Sequence, residues 1–419
     1  MIRSHALRAS LSEEMHVRRL PRLAAPCRLM QIVTVLGEEA GEAARAHIEA
    51  LAGTGRVLVP IAAKYGVVAL DALTLVWERH TEFASYTLVR DGAFDAPRHA
   101  PFDPDHFEPH LAAILADMPG EIVRATQIAV FGRDTAPPGD EDRARWFSAE
   151  AIVMCDVTDK AARIVSDFRL HDDGYGRLLV LDRDLAGDEL AQLVLRLQEL
   201  GNYRNMALLG LPLAQRLTPE VTRLEVRLAE LTAAVSERSS EDDELLDELT
   251  FLSAELARLV ADTRYRMSAT RAYAQLSMDR LASLHVGAVR GFQTLADFTE
   301  RRLMPAVRTC DSFSARLEDL SQRAAWTSAL LRTRIDIALA KQNRDLLTSM
   351  DRRTDLQLRL QQTVEGLSIV AISYYLVALV GYVTGVAPVR HDVVMAVAVP
   401  IVLLAVTLAL VRLRRRLHA

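Results

Sequence analysis

In the run WERHTEF, Trp77 to Phe83, Glu78, His80 and Glu82 recur at every second position. Alternate residues of a β-strand share a face, so two carboxylates and an imidazole there could converge on a divalent cation or share a proton. The same groups also fit a solvated strand face, or pairing with nearby arginines, because three ligands from one strand seldom complete a coordination shell. DPDHFEPH, Asp103 to His110, places His106 and His110 four apart. Pro109 interrupts that helical spacing, and Asp103 before Pro104 reads more simply as a helix cap. EMHVRRLPRL, Glu14 to Leu23, sets His16 beside three arginines, as an anion contact or as an exposed arm. LGNYRNMALLGLP, Leu200 to Pro212, embeds Asn202, Tyr203, Arg204 and Asn205 in aliphatic sequence. The asparagines can bond backbone and the arginine can pair with a carboxylate, which suits a structural junction that couples two parts of the chain; the other reading is an anion or partner site.

No phosphate loop, G-x-G-x-x-G, H-E-x-x-H, G-x-S-x-G or paired C-x-x-C occurs, so the pattern favours binding over catalysis and assigns no cofactor. The net charge of -5 and the pI of about 6.2 point away from nucleic acid as a partner. Lysine occurs only at Lys64, Lys160 and Lys341, an arginine bias that fits a GC-rich bacterial source. Cys27, Cys155 and Cys310 are an odd, scattered set, which suits neither a disulfide framework nor a cysteine zinc site.

The elements that must position these groups imply an α+β chain. A mixed α/β domain is expected over residues 1–187, with strands at Leu29–Leu36, Val67–Leu75, Phe83–Val89, Ile122–Phe131, Ala151–Asp156, Ala162–Leu170 and Arg177–Leu181. Helices are expected at Glu38–Leu51 and near Phe107–Asp117, and HDDGYG, His171 to Gly176, has the residues of a hairpin turn. A helical, coiled-coil stalk follows over 188–365. Its first helix starts at Asp188-Glu189, with Gly201 as a point where it could end or kink and Gly210-Leu-Pro212 as its stop. Thr218-Pro219 reads as the N-cap of the next helix, whose Val221, Leu224, Leu228, Leu231 and Val235 form a heptad seam. Leu245, Leu249, Leu252, Leu256 and Leu259 repeat that seam beyond an acidic turn, Ser236 to Glu244, so the two should pack antiparallel. A third helix runs from about Pro305 to Leu360.

Gly366–Ala387 and Val393–Val411 contain no formal charge, and at about 1.5 Å per residue each can cross roughly 30 Å of hydrocarbon. The implied transmembrane hairpin, 366–411, ends in a basic tail, 412–419. Arg352, Arg353 and Arg359 before it and Arg412, Arg414, Arg415 and Arg416 after it, against Arg390 in the loop, put both termini in the cytoplasm of a bacterial inner membrane. The long third helix needs partners to be stable, and copies of the same chain are the expected ones. The implied partners are therefore the lipid bilayer, a homo-oligomer, and a small ligand or divalent cation.

LGNYRNMALLGLP, WERHTEF, RRLMPAVRTCDSFSARL, LLRTRIDIALAKQNRDLLTSM and LQLRLQQTVEGLSIVAISYYLVALVGY together resemble an uncharacterised bacterial family of predicted membrane-anchored proteins. The resemblance covers nearly the whole chain and implies no activity. A looser, architectural similarity is to CorA-type magnesium channels, which are pentamers: QNRDLLTSM resembles their pre-membrane helix and RLRRRLH their basic tail. Their Gly-Met-Asn signature is replaced here by GYVTGVAP, Gly381 to Pro388. Three functions are thus expected to compete: an oligomeric membrane-anchored binding or scaffold module, a CorA-like cation channel or transporter, and a metal enzyme using Glu78, His80 and Glu82.

Overall fold

A computed structural model describes residues 4–8, 11, 20–37, 40–61, 64–92, 101–237, 242–384 and 391–417. Most of the EMHVRRLPRL arm, the middle of the acidic turn and the loop at 385–390 lie outside the described residues. Two compact units emerge: Met1–Arg238 with Asp247–Ala325, and Ser239–Leu246 with Trp326–Ala419. The sheet and the helical segment through Ala325 share the first unit, whereas the sequence pattern sets a boundary at residue 187.

The first unit begins with β1 (Cys27–Val35), in which all but the last residue are buried. Such a strand is covered on both faces, which fits apolar residues at both parities along it and the burial even of Arg28, Gln31 and Thr34. Helix α1 (Ala40–Ala52) lays Ala44, Ile48 and Ala52 on one stripe, and β2 (Arg56–Val59) then leads into β3 (Tyr65–Leu70). β4 (Leu73–Arg79) follows after a two-residue turn in which Asp71 has φ of 48°, so the single strand expected at Val67–Leu75 is a hairpin. Aspartate tolerates that left-handed conformation better than most residues.

Next come β5 (Phe83–Asp91), α2 (His110–Ala116) and β6 (Glu121–Phe131). α3 (Asp140–Trp146), β7 (Val153–Val157), β8 (Ala162–Ser166) and β9 (Gly176–Asp182) complete the region. With a two-residue β10 (Gly287–Ala288), the described strands form a ten-stranded sheet in the order β10-β7-β8-β9-β6-β1-β5-β4-β3-β2. β6 and β9 pair in parallel, and the other neighbours are antiparallel.

Helix α4 (Glu189–Leu208) crosses one sheet face, burying Leu190, Leu193, Val194, Leu197 and Leu200 in a core with Leu29, Ile128 and Val180. On the other face Met30, Ile32 and Trp77 meet α1 and α2 through Ile48, Leu111 and Ile114. Gly201 neither ends nor kinks α4, because tertiary burial on both sides of it outweighs its weak helix propensity. Only Leu209, itself helical at φ -61° and ψ -23°, separates α4 from α5 (Gly210–Ser236). Pro212 lies in the first turn of α5, where a missing N–H is harmless. Pro219 lies inside α5 and does not start it; the Thr218 hydroxyl donates to the Ala214 carbonyl at 2.7 Å instead of capping.

Helix α6 (Asp242–Ala282) runs antiparallel to α5: Glu220 pairs with Arg258, Arg223 with Glu255 and Arg227 with Glu248. The expected seam is buried at Val221, Leu224, Leu228, Leu231 and Val235, and at Leu249, Leu252, Leu256 and Leu259. The third helix, α7 (Leu295–Thr384), starts ten residues earlier than expected and passes through Pro305. Gly210 sits where α5, α6 and α7 meet. A Cβ there would lie 2.2 Å from Thr270 Oγ1, 3.2 Å from Thr270 Cβ and 3.4 Å from Cys310 Sγ. Gly210→Ala is therefore expected to destabilise by about 1–3 kcal/mol, because overpacking outweighs the helix-propensity gain. A fall in the urea midpoint measures it, and an unchanged midpoint would show that the junction relaxes freely.

In the second unit every described residue of α7 from 336 to 364 is exposed, Ile337, Leu346, Met350 and Leu360 included. Asp242 accepts a hydrogen bond from Arg334 at 2.9 Å. The end of α7 and the last helix, α8 (His391–Leu417), are long and apolar enough to cross a membrane.

Candidate functional site

The strand expected to carry Glu78, His80 and Glu82 ends at Arg79, and the His80 N–H donates to the Phe83 carbonyl at 2.8 Å in the β4–β5 turn. The alternation that would align the three groups is lost at that turn. Glu78 and His80 stay close, Oε2 to Nε2 at 3.7 Å, while Glu82 accepts from Arg266 of α6 at 2.9 Å. His80 stacks on Phe83 with ring centroids 4.1 Å apart. Among the described residues no group of three His, Cys, Asp or Glu side chains is placed to hold a metal ion. In DPDHFEPH, Asp103 caps a short 3-10 turn by accepting from the Asp105 N–H at 3.0 Å, and His110 pairs with Asp71 at 3.2 Å.

The four polar residues of LGNYRN point from α4 to different places. Asn202 accepts from Arg124 of β6 at 3.0 Å, and Asn205 donates to the Val123 carbonyl at 3.4 Å. Tyr203 stacks on Tyr273 with centroids 6.0 Å apart and lines a cavity of about 770 Å³ that also holds His80 and Glu82. Arg204 faces a second cavity, of about 270 Å³. Successive helix residues are about 100° apart, so the polar quartet serves both sides of α4.

The smaller cavity is framed by β6, β9, the segment after β8, α4 and the start of α7. Arg124 reaches it from β6 and donates to Gln31 as well as to Asn202. Gly201 makes room for it, since a Cβ there would come within 2.7 Å of the Arg124 Cζ. The Arg204 guanidinium lies over Phe168 at 4.7 Å and over Phe298 at 5.5 Å, and those two rings stack at 4.6 Å. Its Nη1 is buried without a hydrogen-bond partner. Phe168 has φ of 52°, a conformation that costs a bulky residue about 1–3 kcal/mol.

Both arginines are only partly exposed, and among the described residues neither forms an ion pair. Burial, with the neighbouring Arg204 charge added, pushes the Arg124 guanidinium down to about 9. Burial alone pushes Arg204 down to about 10. Both remain cationic at neutral pH. Two desolvated guanidiniums in one cavity, held by neutral amides and aromatic faces, make a local field suited to an anion. Arg177 also lines the cavity, but it is committed to Asp173 and to the Trp146 carbonyl, each at 3.0 Å.

Arg124, Phe168, Leu295 and Phe298 are absent from the sequence-level candidates. One local signal does exist, since EIVRATQIAV sets Arg124 as the lone charge in the run from Ile122 to Phe131. Nothing in the spacing links it to Arg204, 80 positions away in the chain.

A comparison with curated proteins gives no match. Residues 3–417 match the model of a family described as "Protein of unknown function (DUF3422)". With nearly its whole length covered, and in keeping with the resemblance carried by LGNYRNMALLGLP and WERHTEF, the chain belongs to that family.

Proposed function

We propose that the chain is an oligomeric, membrane-anchored binding module of the bacterial inner membrane whose ligand is a small anion held between Arg124 and Arg204. The observation that carries this reading is the pair of partly buried guanidiniums facing one cavity without a carboxylate. Proteins rarely leave such charges uncompensated, and a ligand that supplies the missing negative charge removes the penalty. Anchoring is supported by the two apolar helices, and cytoplasmic termini by the arginines that flank them. Self-association is supported by the exposed stretch of α7 over 336–364, which leaves Ile337, Leu346, Met350 and Leu360 open to solvent, whereas protein helices draw most of their stability from packing an apolar face.

The test uses the full chain in a mild neutral detergent at constant ionic strength, with phosphate replacing chloride at millimolar levels. A saturable rise in the unfolding temperature is expected, as linkage requires of a ligand that binds only the native state. A flat response would overturn the anion reading. Light scattering on the same sample addresses self-association, and a monomeric mass removes that part. Cation flux through liposomes containing the chain would replace the anchored module with a CorA-like channel.

A further inference from the structure

Resting on that reading, we infer that the ligand is an organic anion, a carboxylate or phosphate monoester on a compact apolar body. The cavity has a mixed lining. Arg124, Arg204, Asn205 and Thr126 are polar members of it, beside Ser166, Arg169 and Arg177, whereas Leu178, Leu197, Leu200 and Leu295 belong to one buried aliphatic cluster. A bare oxyanion would satisfy the polar groups and leave the leucines against water. At about 270 Å³ the space equals roughly nine water volumes of about 30 Å³ each, more than a single tetrahedral oxyanion fills. Small-molecule sites commonly combine such an apolar lining with a few convergent polar groups.

The head is held by the Arg204 Nη1, which lacks a partner, and by Arg124, already oriented by Gln31 and Asn202. A pre-oriented fork of donors matches the planar or tetrahedral oxygens of such a head. The body meets the leucines, which include the first residue of α7.

Four probes separate the possibilities on the full chain in neutral detergent: inorganic phosphate, phenyl phosphate, acetate and benzoate, each titrated by calorimetry. Phenyl phosphate is expected to bind about tenfold or more tighter than inorganic phosphate, and benzoate to exceed acetate similarly, through the added apolar burial. The tighter of the two aromatic probes identifies the head. Gly176→Val tests the cavity itself. Gly176 lines the cavity, and a Cβ there makes only ordinary contacts, 3.5 Å to Thr126 Oγ1, 3.6 Å to the Ala125 carbonyl and 3.7 Å to the Arg169 carbonyl. This variant should weaken the binding of all four probes, because it crowds the polar lining at Thr126. Equal affinities in the parent chain overturn the apolar body and leave the anion site standing. Undiminished affinities in Gly176→Val overturn the assigned cavity. Absence of binding by all four probes overturns the anion site as well.

Discussion

Arg204→Leu is expected to unfold at a higher temperature than the parent chain in anion-free buffer and to lose the response to phosphate. In the unliganded fold the Arg204 charge is desolvated, sits beside the Arg124 charge and leaves Nη1 without a partner. Against those penalties stands its placement over Phe168 and Phe298, a cation–π contribution of about 1–2 kcal/mol. Leucine keeps the apolar contact with both rings and removes the charge. Replacing even paired buried charges by apolar side chains of similar volume is often neutral or stabilising by about 1–4 kcal/mol, and Arg204 has no carboxylate partner among the described residues, so a net gain of about 1–2 kcal/mol is expected. Function should move the other way, with phosphate no longer raising the midpoint. Arg204→Lys keeps the charge but not the fork, and should retain a weakened response. A leucine variant that melts lower and still responds to phosphate would mean that Arg204 is a structural side chain alone.

That opposition between stability and binding explains why the site was only half legible in the sequence. NYRN stands out because four polar residues break an aliphatic helix, and their presence in an apolar stripe is a local fact. Their roles are not local. Asn202 is explained only by Arg124, which arrives from β6, and Tyr203 only by Tyr273, which arrives from α6. The same division holds for the fold. β1, β5, β6 and β9 declare themselves by runs rich in aliphatic and β-branched residues, and the α5–α6 pair by its heptads. Signals based on glycine and proline mislead where packing overrides them. Gly201 looks like a helix end, yet it is the spot where the Arg124 guanidinium lies against α4. Pro219 looks like a helix start, yet the seam from Ala214 through Val221 and Leu224 is buried on both sides of it.

The position of α4 also gives the junction a physical meaning. Arg204 and Tyr203, adjacent in sequence, line different cavities, so a displacement of α4 that suits one is felt in the other. The smaller cavity further includes Leu295, with Phe298 one turn later stacked on Phe168. Both residues belong to α7. A ligand against Leu295 would therefore touch the same helix whose far end is long and apolar enough to cross a membrane. We propose on this ground that Asn202, Tyr203, Arg204 and Asn205 link ligand binding to helix position, the coupling role that the sequence leads one to expect of them.

Glu82→Gln is expected to destabilise the first unit by about 3 kcal/mol, because removing one member of a buried ion pair leaves the other uncompensated. The Glu82 and Arg266 side chains are only 10% and 17% exposed and lie 2.9 Å apart, so Arg266 has little access to water once its partner is neutral. The Arg266 Nε is already buried without a hydrogen-bond partner. Tyr273, whose hydroxyl is held far above its usual range by burial and by the Glu82 charge, sits at the same cavity and offers no replacement charge. The double variant Glu82→Gln with Arg266→Met should recover most of the loss, since it removes both charges and keeps similar volume. The measurement is a urea midpoint for parent, single and double variants, repeated with a chelator and with added divalent cation. If Glu82 acts through Arg266, the three midpoints keep their order and their spacing under every condition. If it serves as a metal ligand with Glu78 and His80, the cation raises the parent alone and the double variant stays as unstable as the single one.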